Sequence, residues 1–310
     1  MWPFILNIGI LAASIFALVQ GAELFINQSS ALARKYHIPE FLIGITIVAF
    51  GTSLPEFIIS FIAAAQGNVA VSTSNIVGSC IANIGFILAV TALFGAIKIN
   101  KANLRFDIPL SVLSVVIFLI ILYFTNGQIN WVTGIVLLAI FAAYFVLVYF
   151  REKSKGMEST PTHTRIHPLL ILLSIGLIAG GGKFAVDSAI DLAGLLHISE
   201  GFAGFTILAI GSSLPELIVS IVALKKGQDA LSLGNIIGSN FFNLFFIIGI
   251  SSFVTTLPFN DYIYELVILV LYNLALVVAA LIGKKFYISK KEGLFILISY
   301  MALIVYLFYR

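Results

Sequence analysis

Glu56 and Glu216 each close the same kind of six-residue phrase, "GTSLPE" at 51–56 and "GSSLPE" at 211–216. Both phrases lie inside apolar runs long enough to cross a bilayer. A charged side chain at the bilayer centre costs about 2.5–3.5 kcal/mol on insertion scales, so an intramembrane carboxylate marks a functional site by default. Each Glu brings hydroxyls with it. Thr52 and Ser53 precede Glu56 by one helical turn and share its face, and Ser212 and Ser213 stand in the same relation to Glu216. A second polar stripe recurs at helical spacing as Asn75, Ser79 and Asn83, and again as Asn235, Ser239 and Asn243. No Cys or His joins these groups. Carboxylate, hydroxyl and amide oxygens are hard ligands that suit Ca2+, Mg2+, Mn2+ or Na+ and disfavour Zn2+ or Cu. Two carboxylates neutralise one divalent ion, and if they are close they would let a proton compete with the metal.

The phrases also contain a helix breaker. Pro55 has no amide hydrogen and clashes with the carbonyl of Gly51, and Pro215 does the same to Gly211. Both helices are expected to break near the midplane and leave carbonyl oxygens without partners. At that depth irregular backbone is tolerated only where it is buried in protein or lines a wet cavity.

The elements that must position these groups are membrane helices. The chain is 60% apolar and only 10% charged, with a mean hydropathy of +1.11. A soluble domain carries about 25% charged residues. Apolar runs of helical length recur from end to end, unlike the weak alternation of an outer-membrane barrel. Ten spans are predicted, at 4–32, 39–65, 70–96, 106–125, 129–150, 168–196, 200–224, 229–256, 262–283 and 292–309. The first lacks a basic leader region and reads as a retained helix. Segment 151–167 is polar and reads as a linker between the halves.

Lys and Arg follow only the odd-numbered spans: Arg34 and Lys35; Lys98, Lys101 and Arg105; Arg151 and Lys153; Lys225 and Lys226; Lys284 and Lys285. The positive-inside rule makes those loops cytoplasmic, including 151–167, and places both termini outside. The multi-pass chain is expected in the plasma membrane.

Sliding the chain by 160 residues lays Gly21–Ile87 over Gly181–Ile247 without a gap, with about two in five positions identical. Each copy holds five spans, an odd number, so the second enters the membrane from the opposite side. The expected fold is an all-α integral membrane protein of ten transmembrane helices in two inverted five-helix repeats. These are 1–150 and 168–310, with helices 2 and 7 broken, an architecture common among secondary transporters.

Other features have plainer readings. Glu23 and Lys183 are repeat equivalents of opposite charge, with Asp187 nearby, and read as peripheral or interhelical. His163 and His167 read as solvated linker residues. Gly78 and Gly238 fit helix packing as well as function. "GTSLPEF" is not a nucleophile elbow, and no nucleophile–base pair or cofactor motif appears, so an enzyme is not expected. The lone Cys80 rules out an intramolecular disulfide. The net charge of +3 is a topology signal and gives no sign of nucleic-acid binding. Two broken helices in an inverted repeat also argue against a passive channel.

At "GTSLPE" with "NIVGSCIANIG" and "GSSLPE" with "GNIIGSNFFN", the chain resembles the sodium/calcium exchanger family, within the calcium:cation antiporter superfamily. It is similar to the small ten-helix prokaryotic members, over nearly its whole length. The resemblance implies antiport of Ca2+ against Na+ by alternating access, in which the first and sixth helices slide across the rest. It implies that Glu56 and Glu216 are the central Ca2+ ligands. Thr52 and Ser212, with the backbone carbonyls of Ala49 and Ala209, match groups shared by Ca2+ and flanking Na+ sites. Ser53, Ser213, Ser79 and Ser239 match Na+-site hydroxyls, and Asn83 the central amide. The position of Asn243 is an aspartate in well-studied exchangers, so this chain keeps an oxygen there and loses a titratable group. An H+-coupled exchanger of Ca2+ or other divalent cations is the alternative. Ca2+ and Na+ are substrates on this reading, the lipid bilayer is the solvent, and neither a cofactor nor an obligate protein partner is expected.

Overall fold

The computed structural model describes residues 2–36, 38–101, 103–153, 166–195, 209–282 and 286–309. The helices before the linker are α1 (Trp2–Lys35), α2 (Phe41–Thr52), α3 (Leu54–Ala65), α4 (Val69–Phe94), α5 (Asn103–Phe124) and α6 (Trp131–Lys153). Those after it are α7 (Pro168–Leu195), α8 (Ala209–Ser212), α9 (Leu214–Lys225), α10 (Asp229–Ser251), α11 (Ile263–Ile282) and α12 (Lys290–Tyr309). Among the described residues seven helices are long and apolar enough to cross a membrane, or eight if the bent pair α2–α3 is one span. The stretch at 200–224 is described only from Ala209 onward, and most of 151–167, with His163, lies outside the described residues.

The distribution of polarity is that of a protein in lipid. Large apolar side chains point outward, among them Tyr123, Phe124, Leu169 and Phe295, each more than 70% exposed. The buried set is rich in Ser, Thr and Asn and includes Glu56, Asp107 and Glu216. Asp107 is met by Arg151 at 2.7 Å and by the Asn103 amide at 3.0 Å, and the Arg151 guanidinium stacks over Phe106 and Phe41. This cluster ties the end of α6 to α5 and to the start of α2.

The chain between α2 and α3 turns by 50° at Ser53, whose φ of −85° and ψ of 9° leave the helical region. Ser213 has nearly the same backbone, φ −93° and ψ 7°, between α8 and α9. In each case the proline is the second residue of the following helix, where its missing N–H costs nothing, and the carbonyl four residues back loses its usual donor. Wide π turns interrupt α2 at Gly44–Val48, α4 at Asn83–Leu88 and α10 at Phe242–Ile247. The last two start at or beside the final Asn of each polar stripe, and π turns of this kind tend to accompany functional sites.

Two contacts set the helix positions. The first is a backbone-to-backbone crossing of α2 and α10. A Cβ on Gly234 would lie 2.7 Å from the Phe41 carbonyl oxygen, and one on Gly238 would lie 2.6 Å from the Ile45 Cα. The second joins α1 to α7. A Cβ on Gly21 would lie 2.9 Å from the Leu177 Cβ, and one on its repeat equivalent Gly181 would lie 2.9 Å from the Ser14 carbonyl oxygen. Two antiparallel clips complete the frame: β1 (Ile97–Lys98) pairs with β4 (Tyr287–Ile288), and β2 (Gln128–Ile129) pairs with β3 (Leu257–Pro258). A shift of 160 residues lays β1 on β3 and lays β2 one residue out of step with β4, so each copy of the repeat lends a strand to the other.

Gly78, the repeat equivalent of Gly238, has open space where a Cβ would go, among the described residues. Gly238→Ala should therefore cost about 1–3 kcal/mol through forced separation of α2 and α10, while Gly78→Ala should be neutral or better. Thermal unfolding of the detergent-solubilised variants measures this, and equal melting temperatures would contradict the crossing.

Candidate cation site

The site forms where the break after α2 meets the break after α8. Both Glu56 and Glu216 start a helix, in the first turns of α3 and α9, where backbone N–H groups favour negative charge. Both are about 1% exposed, and each carboxylate feels the charge of the other. The hydroxyl donors to each come from the other phrase. Ser53 Oγ donates to Glu216 Oε1 at 2.8 Å, and Ser213 Oγ donates to Glu56 Oε1 at 3.3 Å. Thr52 also faces Glu216, and Ser212 faces Glu56. The hydroxyls that share a helix face with one Glu in the sequence therefore serve the other Glu in space.

The stripes on α4 and α10 divide into two roles. Asn75 and Asn235 are braces. Asn75 Nδ2 donates to the Glu56 backbone oxygen at 3.4 Å and to Ser60 Oγ at 2.9 Å. Asn235 Nδ2 donates to the Glu216 backbone oxygen at 3.3 Å and to Ser220 Oγ at 3.0 Å, while its Oδ1 accepts from Thr52 Oγ1 at 3.1 Å. Further along each stripe oxygens are left over. Glu56 Oε2, Glu216 Oε2, Ser79 Oγ, Asn83 Oδ1 and Asn243 Oδ1 are all buried with no hydrogen-bond partner among the described residues. Orphaned oxygens of this kind carry a desolvation penalty unless something satisfies them. Five oxygens, two of them carboxylate, fit a hard cation.

The remaining predicted residues are placed as follows. Ser239 Oγ is 3.0 Å from Ser53 Oγ, joining α10 to the first break. The Ala49 carbonyl accepts the Ser53 N–H at 3.0 Å and Thr52 Oγ1 at 3.3 Å. Ala209 opens α8, with only its backbone described. Sequence reasoning missed three residues. Ser60 and Ser220 lie one turn after each Glu in both copies, a signal present in the sequence that went unused. Asn240, whose Oδ1 accepts from Asn83 Nδ2 at 2.9 Å, has Cys80 as its repeat equivalent, so a search for conserved symmetry passes over it.

Residues 6–150 and 166–309 match the family described as sodium/calcium exchanger protein. An uncharacterized membrane protein of Methanocaldococcus jannaschii is 34% identical over 303 residues, covering 96% of both chains. The sodium/calcium exchanger MaX1 of Methanosarcina acetivorans is 28% identical, covering 98% of this chain and 99% of its own. A solved structure of the sodium-calcium exchanger NCX_Mj superposes with a TM-score of 0.84 at 30% identity, covering 98% of this chain and 99% of that one.

The crossed hydrogen bonds make a graded prediction. Ser53→Ala removes a 2.8 Å donor and a link to Ser239, whereas Ser213→Ala removes a single longer bond. Losing a hydrogen bond to a charged group costs about 1.5–3 kcal/mol. Thermal stabilisation by added Ca2+ should fall in both variants and further in Ser53→Ala. The reverse order would refute the placement of these donors.

Proposed function

The chain belongs to the sodium/calcium exchanger family, and we propose that it is a secondary antiporter that exchanges Ca2+ for Na+ across the plasma membrane by alternating access. The observation that carries this reading is the set of buried oxygens on Glu56, Glu216, Ser79, Asn83 and Asn243 for which the described residues supply no hydrogen-bond donor. Glu56 and Glu216 hold Ca2+ between them, assisted by Thr52, Ser212 and the Ala49 and Ala209 carbonyls. Na+ uses the same carboxylates together with Ser53, Ser213, Ser79, Ser239, Asn83 and Asn243. Because both ions need the same two carboxylates, they bind in turn, and that exclusion couples their movements.

The architecture we assign is ten spans in two inverted repeats, 1–150 and 168–310, joined by a cytoplasmic linker at 151–167, with both termini outside. The exchanged β clips, the matching breaks at Ser53 and Ser213 and the crossed serine–glutamate bonds support this assignment, since each pairs with its counterpart under one shift of 160 residues. Alternating access follows from the symmetry: a copy that can take two shapes gives two states when the copies trade them.

The test is Ca2+ uptake into liposomes. Protein in Na+-filled vesicles diluted into Na+-free buffer should accumulate 45Ca2+, and K+-filled vesicles should not. Glu56→Gln and Glu216→Gln should each abolish uptake while keeping a folded protein. Full activity in either variant sinks the site. Uptake driven by acid inside, with no Na+ requirement, favours the proton-coupled reading instead. Asn243 would then be the residue to explain, because it keeps an oxygen at the site but supplies no titratable group.

A further inference from the structure

The two repeats are not used alike at the two faces of the membrane, and the difference centres on a pair of residues with no part in the site above. In α1, Glu23 and Asn27 are held by the loop that follows α9. Lys226 Nζ donates to Asn27 Oδ1 at 2.6 Å and to the Glu23 backbone oxygen at 3.3 Å, and Gln228 Nε2 donates to Ser30 Oγ at 2.7 Å. This face of the bundle is closed by polar contacts. The repeat equivalents of Glu23 and Asn27 are Lys183 and Asp187 on α7. They pair with each other instead, Lys183 Nζ donating to Asp187 Oδ2 at 2.5 Å.

Lys183 and Asp187 line a cavity of about 500 Å³ that also touches Pro55, Ile58, Pro215 and Ser212. Ser212 faces Glu56, so the cavity runs from the outer surface of α7 to the edge of the cation site. Its described lining is apolar apart from Ser212 and this charged pair. The pair is exposed along the cavity, with the Lys183 side chain 70% exposed and that of Asp187 50% exposed. An exposed ion pair is weak and readily broken by a competing cation. A lysine on the route of a cation would repel it if left uncompensated, and Asp187 supplies the compensation.

We propose that Asp187 is a staging site for cations on their way to Glu56 and Glu216, and that Lys183 competes with the arriving ion for it. The pair thereby sets how fast ions reach the carboxylates from this face. The proposal rests on the exchanger reading and adds to it a kinetic control point outside the ligand set. The sequence offered no hint of this role, because the two residues break the repeat symmetry and read as peripheral.

The experiment measures kcat/KM for Ca2+ from each face, in right-side-out and inverted membrane vesicles driven by a Na+ gradient at low ionic strength. Lys183→Met leaves Asp187 unopposed and should raise kcat/KM at the cavity face about three- to tenfold. That is the size expected for one charge acting on a divalent ion at roughly 8 Å in wet surroundings. Asp187→Asn leaves Lys183 unopposed and should lower it by a similar factor. The double variant should return towards the wild type, and all effects should shrink at high salt. The opposite face should not respond. The fold-change for Na+ should be about the square root of that for Ca2+, because the ion charge is halved. Single variants that move in the same direction, or that act equally at both faces, would reduce the pair to a structural one and overturn the proposal alone. A wild-type protein that moves no Ca2+ in any gradient would overturn the exchanger reading as well.

Discussion

Two carboxylates taken out of water, met by serine and threonine hydroxyls and by their own backbone N–H groups, are the constraint around which this molecule is built. An ionised carboxylate loses several kcal/mol on burial unless partners replace its water. Here the partners come from the opposite copy of the repeat: Ser53 serves Glu216 and Ser213 serves Glu56. The side-chain donors to each carboxylate come from the other copy, so the site forms where the copies meet. Each Glu is also braced from behind, through its backbone oxygen, by Asn75 or Asn235. That bracing fixes the carboxylates without using the oxygens a cation would need.

The close glycine contacts follow from the same constraint. Hydroxyl, amide and carboxylate side chains are short, so they reach across the interface only if the helix backbones nearly touch. Gly234 and Gly238 let α10 lie directly against α2, which brings Asn235 to Thr52 and Ser239 to Ser53. Between helices in lipid there is little hydrophobic drive, and small residues that permit such approach supply dispersion and hydrogen bonding in its place. α1 and α7 use Gly21 and Gly181 in the same way against each other. They form a unit set beside the site.

Departures from two-fold symmetry are as informative as the symmetry. Ser239 is bonded to Ser53, yet its counterpart Ser79 has no partner among the described residues; Asn240 steadies Asn83, yet its counterpart is Cys80. One face is clasped by Lys226 and Gln228, and the other holds a cavity.

The sequence by itself determined a good deal. Hydropathy marked a membrane protein, one constant shift of 160 residues marked the repeat, and helical spacing gathered Glu56, Thr52 and Ser53 on one face. Such properties are local or periodic, and period is readable along a chain. The resemblance of "GTSLPE" and "GSSLPE" to exchanger motifs pointed to the family. Which hydroxyl serves which carboxylate was decided only in three dimensions. Spacing assigned Ser53 to Glu56, and the fold gave it to Glu216 across the interface, because the break at Ser53 turns its side chain away from its own helix. The same holds for Asn75 and Asn235, which the stripe pattern could not tell from Asn83 and Asn243, and for Lys183 and Asp187 beside the cavity. A residue's spacing fixes its neighbours on one helix, and only packing fixes its neighbours on the next.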